Sequence, residues 1–112
     1  MKIAIPTVEG KLCMHFGHCE KFAVLDVSEG DKNIVSEEFL TPPPHEPGVL
    51  PKWLSEQGVN CIIAGGMGGR AQDIFAANNI KVVTGANSEE PREVVENYLN
   101  GTLETGPNAC DH

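Results

Sequence analysis

Four soft metal-ligand side chains fall within seven residues, Cys13-Met14-His15-Phe16-Gly17-His18-Cys19, and Cys110-Asp111-His112 repeats the chemistry at the far end. Thiolate and imidazole select zinc, copper(I) and iron–sulfur species over hard cations. The spacing is C-x-H-x-x-H-C followed much later by C-x-H. A structural zinc knuckle would instead pair C-x2-C with H-x3-5-H. A metal or cluster site is therefore expected, with Cys13, His15, Cys19, Cys110 and His112 as candidate ligands and His18 beside them. A closed four-ligand zinc cage is not what the spacing describes. His15 and His18 can equally orient loop backbone, and Cys19 also reads as a small filler residue. The fourth cysteine, Cys61, lies in a continuous apolar run and reads as a core side chain.

The elements that position these residues follow from apolar patterning. Lys2-Ile3-Ala4-Ile5-Pro6 reads as a short buried strand closed by proline. Cys13 then sits in a loop within reach of solvent. Phe22–Val27 and Asn33–Leu40 flank a turn at Glu29-Gly30-Asp31 and predict an antiparallel hairpin. Thr41 to Gly48 carries four prolines, which fix φ and remove donors, so it reads as a stiff extended loop that presents His45. Leu50–Gln57 has Leu50, Trp53 and Leu54 at helical spacing, with Pro51 in the first turn and Gly58 as the stop. Val59–Ala64 reads as a parallel strand covered on both faces. A helix over Arg70–Asn79, a strand over Ile80–Gly85 and a last helix capped by Ser88 and ending at Asn100-Gly101 complete the order. Residues 1–101 thus predict one domain, a three-layer α/β sandwich around a mixed sheet of about five strands. Residues 102–112 have little to bury and read as a mobile tail.

Gly65-Gly66-Met67-Gly68-Gly69-Arg70 joins a strand end to a helix start. Backbone N–H groups and the helix dipole make such a turn an anion site, to which Arg70 adds charge. No G-K-[ST] ends it and it does not match G-x-G-x-x-G, so neither nucleotide fingerprint is present. A tight turn that needs φ > 0 and close helix packing explains the same glycines without a ligand. Hydrolase and transferase chemistry find no support: there is no Gly-x-Ser-x-Gly elbow and no carboxylate pair at the expected strand ends.

Eight basic against sixteen acidic residues give a formal charge of −8 over 112 residues. That field repels DNA and RNA, and the cations are scattered, so nucleic-acid binding is not expected. No stretch approaches the roughly 20 apolar residues of a membrane span. The N-terminus runs directly into a strand pattern without a signal peptide, which predicts a cytoplasmic location. Thiols stay reduced there, so the cysteines read as thiols or ligands before disulfides; Cys13 with Cys19, or either with Cys110, is the alternative pairing.

Taken together, Lys2–Pro6, His15-Phe16-Gly17-His18, the block Gly65–Ala71, Phe75 and the run Ile80–Gly85 resemble the dinitrogenase iron–molybdenum cofactor biosynthesis family over nearly the whole chain. The resemblance implies a ribonuclease-H-like fold without nuclease activity, since the first strand carries no acidic residue for a two-metal site. It implies a non-enzymatic carrier of an iron–sulfur or molybdenum–sulfur cluster, including the molybdenum–copper sulfide cluster of the orange-protein branch. The implied cofactor site comprises His15, Phe16, Gly17, His18 and His45, with Gly65, Gly66, Met67, Gly68, Gly69 and Arg70. Implied partners are cluster-donor or cluster-acceptor proteins, with the chain itself a monomer or weak homodimer. The residues alone leave two other readings open: a mononuclear zinc, copper or nickel protein, and a module whose glycine turn binds a nucleotide or a partner's phosphate.

Overall fold

The structure, a computed structural model, describes residues 1–13, 20–28, 30, 33–43, 49–86, 90–101 and 103. Nine elements form in chain order: β1 (Lys2–Val8), β2 (Lys11–Leu12), β3 (Lys21–Val27), β4 (Ile34–Leu40), α1 (Val49–Glu56), β5 (Cys61–Ile63), α2 (Gly69–Ala77), β6 (Lys81–Val83) and α3 (Pro91–Asn100). The sheet runs β4-β3-β1-β5-β6, with β2 added to β1. Pairing of β1 with β3 and of β3 with β4 is antiparallel, while β1–β5 and β5–β6 are parallel. This is the expected three-layer α/β sandwich with a ribonuclease-H-like strand order.

The period-2 rule sorts the central strands into two apolar layers. Ile3, Ile5, Ala23, Leu25, Cys61 and Ile63 face one side, where Val94, Val95, Tyr98 and Leu99 of α3 cover them. Ala4, Phe22, Val24, Ile62 and Ala64 face the other, against Leu50, Trp53 and Leu54 of α1 and Ala71 and Phe75 of α2. There Phe22 meets Trp53 edge to face, with ring centres 6.0 Å apart and planes at 62°. Full burial of side chains such as Phe22, Phe75, Leu25 and Ile62 stabilises the fold by roughly 1.5–3 kcal/mol each. Gly101 closes α3 in the left-handed region at φ 73°.

Three expectations need correcting. Pro6 does not close β1, which continues to Val8. Its carbonyl accepts from Cys13 N–H at 2.8 Å. A strand residue turns its N and C=O to the same edge, so the nitrogen of Pro6, which has no hydrogen, faces away from β3. On that edge β5 pairs only with Ile3 and Ala4, and β2 takes over at Thr7 and Val8. The proline therefore occupies the gap between them and breaks no ladder bond. The cap of α3 is Glu90, with Pro91 as its first residue, rather than Ser88, which lies outside the described residues. Leu103, placed in the tail by sequence, packs against the α3-side layer, and its N–H donates to Asn97 O at 3.1 Å. The rest of that tail, residues 102 and 104–112, lies outside the described residues.

Candidate functional site

Strands β1, β5 and β6 are parallel, and β4, two antiparallel steps from β1, runs with them. Their C-terminal ends therefore share one end of the sheet. The chain leaves β1 toward β3 and β4, then returns to the other side of β1 for β5 and β6. In open α/β sheets such a reversal leaves a crevice at the carboxyl ends of the strands, here between β1 and β5. The described flanks of the His15 and His45 segments and the start of the glycine turn lie at this end, whereas the Cys110–His112 motif follows α3 and lies outside the described residues.

The His15-containing segment is held at both of its described flanks. Cys13 N–H donates to Pro6 O, and Glu20 N–H donates to Thr7 O, each at 2.8 Å. These carbonyls face opposite edges of β1, so Cys13 and Glu20 straddle the strand's end. Thr7 is itself buried, and its hydroxyl donates to Lys21 O at 2.9 Å. Cys13, expected to reach solvent, is instead 3% exposed. Strand β2 carries it onto the edge of β1 that β5 vacates. His15, Phe16, Gly17, His18 and Cys19 lie outside the described residues, as do His45, Cys110 and His112. Among the described residues, no three His, Cys, Asp or Glu side chains come together as a metal-holding group.

The glycine turn continues β5 into the same crevice. Ala64 to Met67 are buried, whereas Gly68, Gly69 and Arg70 are exposed. The buried half is tied to the exit of β6: Gly85 N–H donates to Gly65 O at 2.9 Å and Ala86 N–H to Ala64 O at 3.2 Å. Met67 packs its side chain fully into the α1–α2 layer. Gln72 then reaches back, its Nε2 donating to Met67 O at 2.9 Å and its N–H to Gly68 O at 3.1 Å. That clamp was not anticipated, although a glutamine four residues after Gly68 was its visible signal.

The exposed half has spare hydrogen-bonding capacity. Gly68 caps α2 without a side-chain hydrogen bond, at φ −64° and ψ 152°. The first N–H groups of a helix have no intrahelical acceptor, and those of Gly69, Arg70 and Ala71 have none among the described residues. None of Gly65, Gly66, Gly68 and Gly69 has a positive φ, so a left-handed turn does not account for these glycines. A Cβ at Gly68 or Gly69 would meet nothing within 4 Å. Neither conformation nor packing asks for glycine at these two positions. A bare backbone, open in front, with three donors and the positive end of a helix dipole, can hold an anion.

The model of the dinitrogenase iron-molybdenum cofactor family matches residues 1–101. This chain belongs to that family. The uncharacterized protein MJ0580 of Methanocaldococcus jannaschii is 34% identical over 108 residues, spanning 93% of this chain and 90% of its own length. The crystal structure of PH0822 superposes with a TM-score of 0.83 at 29% identity, covering 95% of this chain and 96% of that one. The apo form of the orange protein from Desulfovibrio gigas shares the fold, with a TM-score of 0.69, 21% identity and coverage of 96% and 93%.

For a member of the iron-molybdenum cofactor family, Cys61 stands apart from this end of the sheet. It is 2% exposed and lies in the α3-side layer. Burial pushes its thiol up from the ordinary value of 9.0, against the opposing pull of Tyr98 and Lys81. Held protonated by desolvation inside that layer, it is a poor ligand and a poor nucleophile, which agrees with its reading as a core side chain.

Proposed function

We propose that this protein is a non-enzymatic carrier of a metal–sulfur cluster, iron–sulfur or molybdenum–sulfur with iron or copper. The observation that carries the reading is the open backbone at Gly68 and Gly69. A sulfide-capped cluster is a polyanion, and its size explains glycines that neither φ nor crowding requires. The N–H groups of Gly69, Arg70 and Ala71, with the Arg70 guanidinium, supply charge-matched contacts without covalent bonds. Cys13 lies at the same end of the sheet and is the described residue suited to complete a metal's coordination as thiolate. His15, Cys19, Cys110 and His112 are the further candidate ligands, and Phe16, Gly17, His18 and His45 complete the family's site.

Few ligands and an open cradle suit cargo that must be released to an acceptor protein. A non-catalytic role accords with β1, whose residues Lys2–Val8 include no acid for two-metal chemistry. Among the described residues no helix is long and apolar enough to cross a membrane. The carrier reading places the protein in the cytoplasm, as a monomer or weak homodimer that meets donor and acceptor proteins there.

Anaerobic reconstitution of the full chain tests this reading. One sample receives iron with sulfide, another tetrathiomolybdate with copper, and visible absorbance is read after desalting. The carrier retains a coloured species, and Cys13→Ala and His15→Ala together abolish it while leaving the circular dichroism intact. Retention of bare zinc, copper or nickel without sulfide would replace the carrier with a mononuclear metal protein. Saturable nucleotide binding by the metal-free chain, with no cluster retained, would favour the phosphate-binding module.

A further inference from the structure

Strand β4 forms one edge of the sheet, and every residue between its half-buried ends is exposed. The direction of its backbone groups follows from the ladder. Val27 and Met1 exchange both backbone hydrogen bonds, at 2.7 and 3.0 Å, so Val27, Leu25 and Ala23 turn theirs toward β1. Asp26, Val24 and Phe22 then face β4 and pair with Ser36, Glu38 and Leu40. Glu37 and Phe39 are left with N–H and C=O directed outward, an open template for another strand.

Side-chain chemistry narrows the partner. Glu37 and Phe39 lie opposite Leu25 and Ala23 and so share the α3 side of the sheet. Phe39 is 45% exposed. Two depressions of about 280 and 310 Å³ meet at Phe39 and Gly10. Their linings include Glu9, Glu20, Glu37 and Glu90 against the cations Lys21 and Arg92. One wall is firmly built, because Glu9 N–H donates to Glu20 Oε1 at 3.0 Å. A second copy of β4 does not suit this edge: two-fold antiparallel pairing centred on Glu37 or on Glu38 sets that carboxylate against its own copy, and like charges across a ladder repel. The same acids favour a cationic strand, as does the net charge of −8.

The geometry points to β4 as a docking strand for an extended, lysine- or arginine-rich segment of a partner protein. The segment adds to the Glu37–Phe39 edge through backbone hydrogen bonds, sets its cations against Glu9, Glu20, Glu37 and Glu90, and lays an apolar side chain on Phe39. This surface uses none of the cluster-binding residues, so it stands or falls independently of the cargo.

A labelled ten-residue peptide alternating lysine with valine, titrated into the metal-free full chain by fluorescence anisotropy, is the probe. Saturable binding is expected, weakening with salt and absent when glutamate replaces lysine. Glu37→Pro removes one outward N–H and one of the four carboxylates without touching the β3 ladder. It should weaken binding about tenfold, the size of one such hydrogen bond with its neighbours, while circular dichroism and Tm stay unchanged. Should that variant misfold, a peptide N-methylated at alternate nitrogens makes the same comparison against the intact protein. Equal binding by Glu37→Pro or by the methylated peptide would overturn strand addition, as would the absence of saturation. A dimer in sedimentation that Glu37→Pro converts to monomer would overturn the proposal in favour of self-pairing.

Discussion

Gly69→Ala separates the requirements of the fold from those of the site. Gly69 is the first residue of α2, its φ is not positive, and an added Cβ meets nothing within 4 Å. For the chain alone the change is therefore favourable. Alanine restricts the unfolded state more than glycine, which stabilises compatible positions by about 0.4–1 kcal/mol. For a domain of this size that raises Tm by a few degrees, at most about 8 °C. The same methyl group projects into the space where the proposed cluster approaches the backbone, and it shields the N–H groups of Gly69 and Arg70. Calorimetry on the metal-free variant and retained absorbance after reconstitution are read side by side. Equal or higher Tm with strongly reduced loading is the expected pair. Full loading would refute the assignment of that open space to the ligand. A lowered Tm would refute the local geometry from which it is derived.

Three further outcomes follow from burial. Cys61 has its pKa raised by desolvation, so the folded state holds that proton more tightly than the unfolded chain. Its contribution is fully present below the unfolded value near 9 and is lost as pH rises through the folded one. Urea titrations should therefore show stability declining at alkaline pH, with the slope flattened in Cys61→Ala; an unchanged slope would contradict the cause given. Phe75, fully buried between α2 and the sheet, should cost about 3–5 kcal/mol as Phe75→Ala, and a loss well under 1 kcal/mol would contradict the packing described. Cys13→Ala alone should remain folded, because it removes one small buried group, yet retain less cluster than the parent; undiminished retention would remove Cys13 from the site.

Much of the fold was legible because its strands and helices obey simple periods. Ile3 and Ile5 against Ala4, and Cys61 and Ile63 against Ile62, alternate between the two apolar layers. Leu50, Trp53 and Leu54 keep helical spacing. What escaped notice depended on neighbours that a linear reading does not see. Pro6 signals a strand end unless the missing donor happens to face a gap, as it does between β5 and β2. The β1–β2 hairpin turns on Glu9-Gly10, with φ of 54° and 81°, and glutamate is an uncommon residue in the left-handed region. Missing β2 also misplaced Cys13, since only that short strand explains its burial. At the site, the glycine block reads in the sequence as an anion-binding candidate, but the conformation of its glycines is not legible there. Their φ values and open surroundings exist only in three dimensions. The ligand roles of His15, His18, Cys19, His45, Cys110 and His112 rest on residue type and on the family, because those residues lie outside the described part of the structure.

Native mass spectrometry of the anaerobically reconstituted, desalted chain tests the central claim most directly. The carrier account predicts a mass increment equal to an intact cluster, metal and sulfide together in fixed ratio, one per chain and absent from Gly69→Ala. An increment of bare metal ions without sulfide, or none at all, would contradict it.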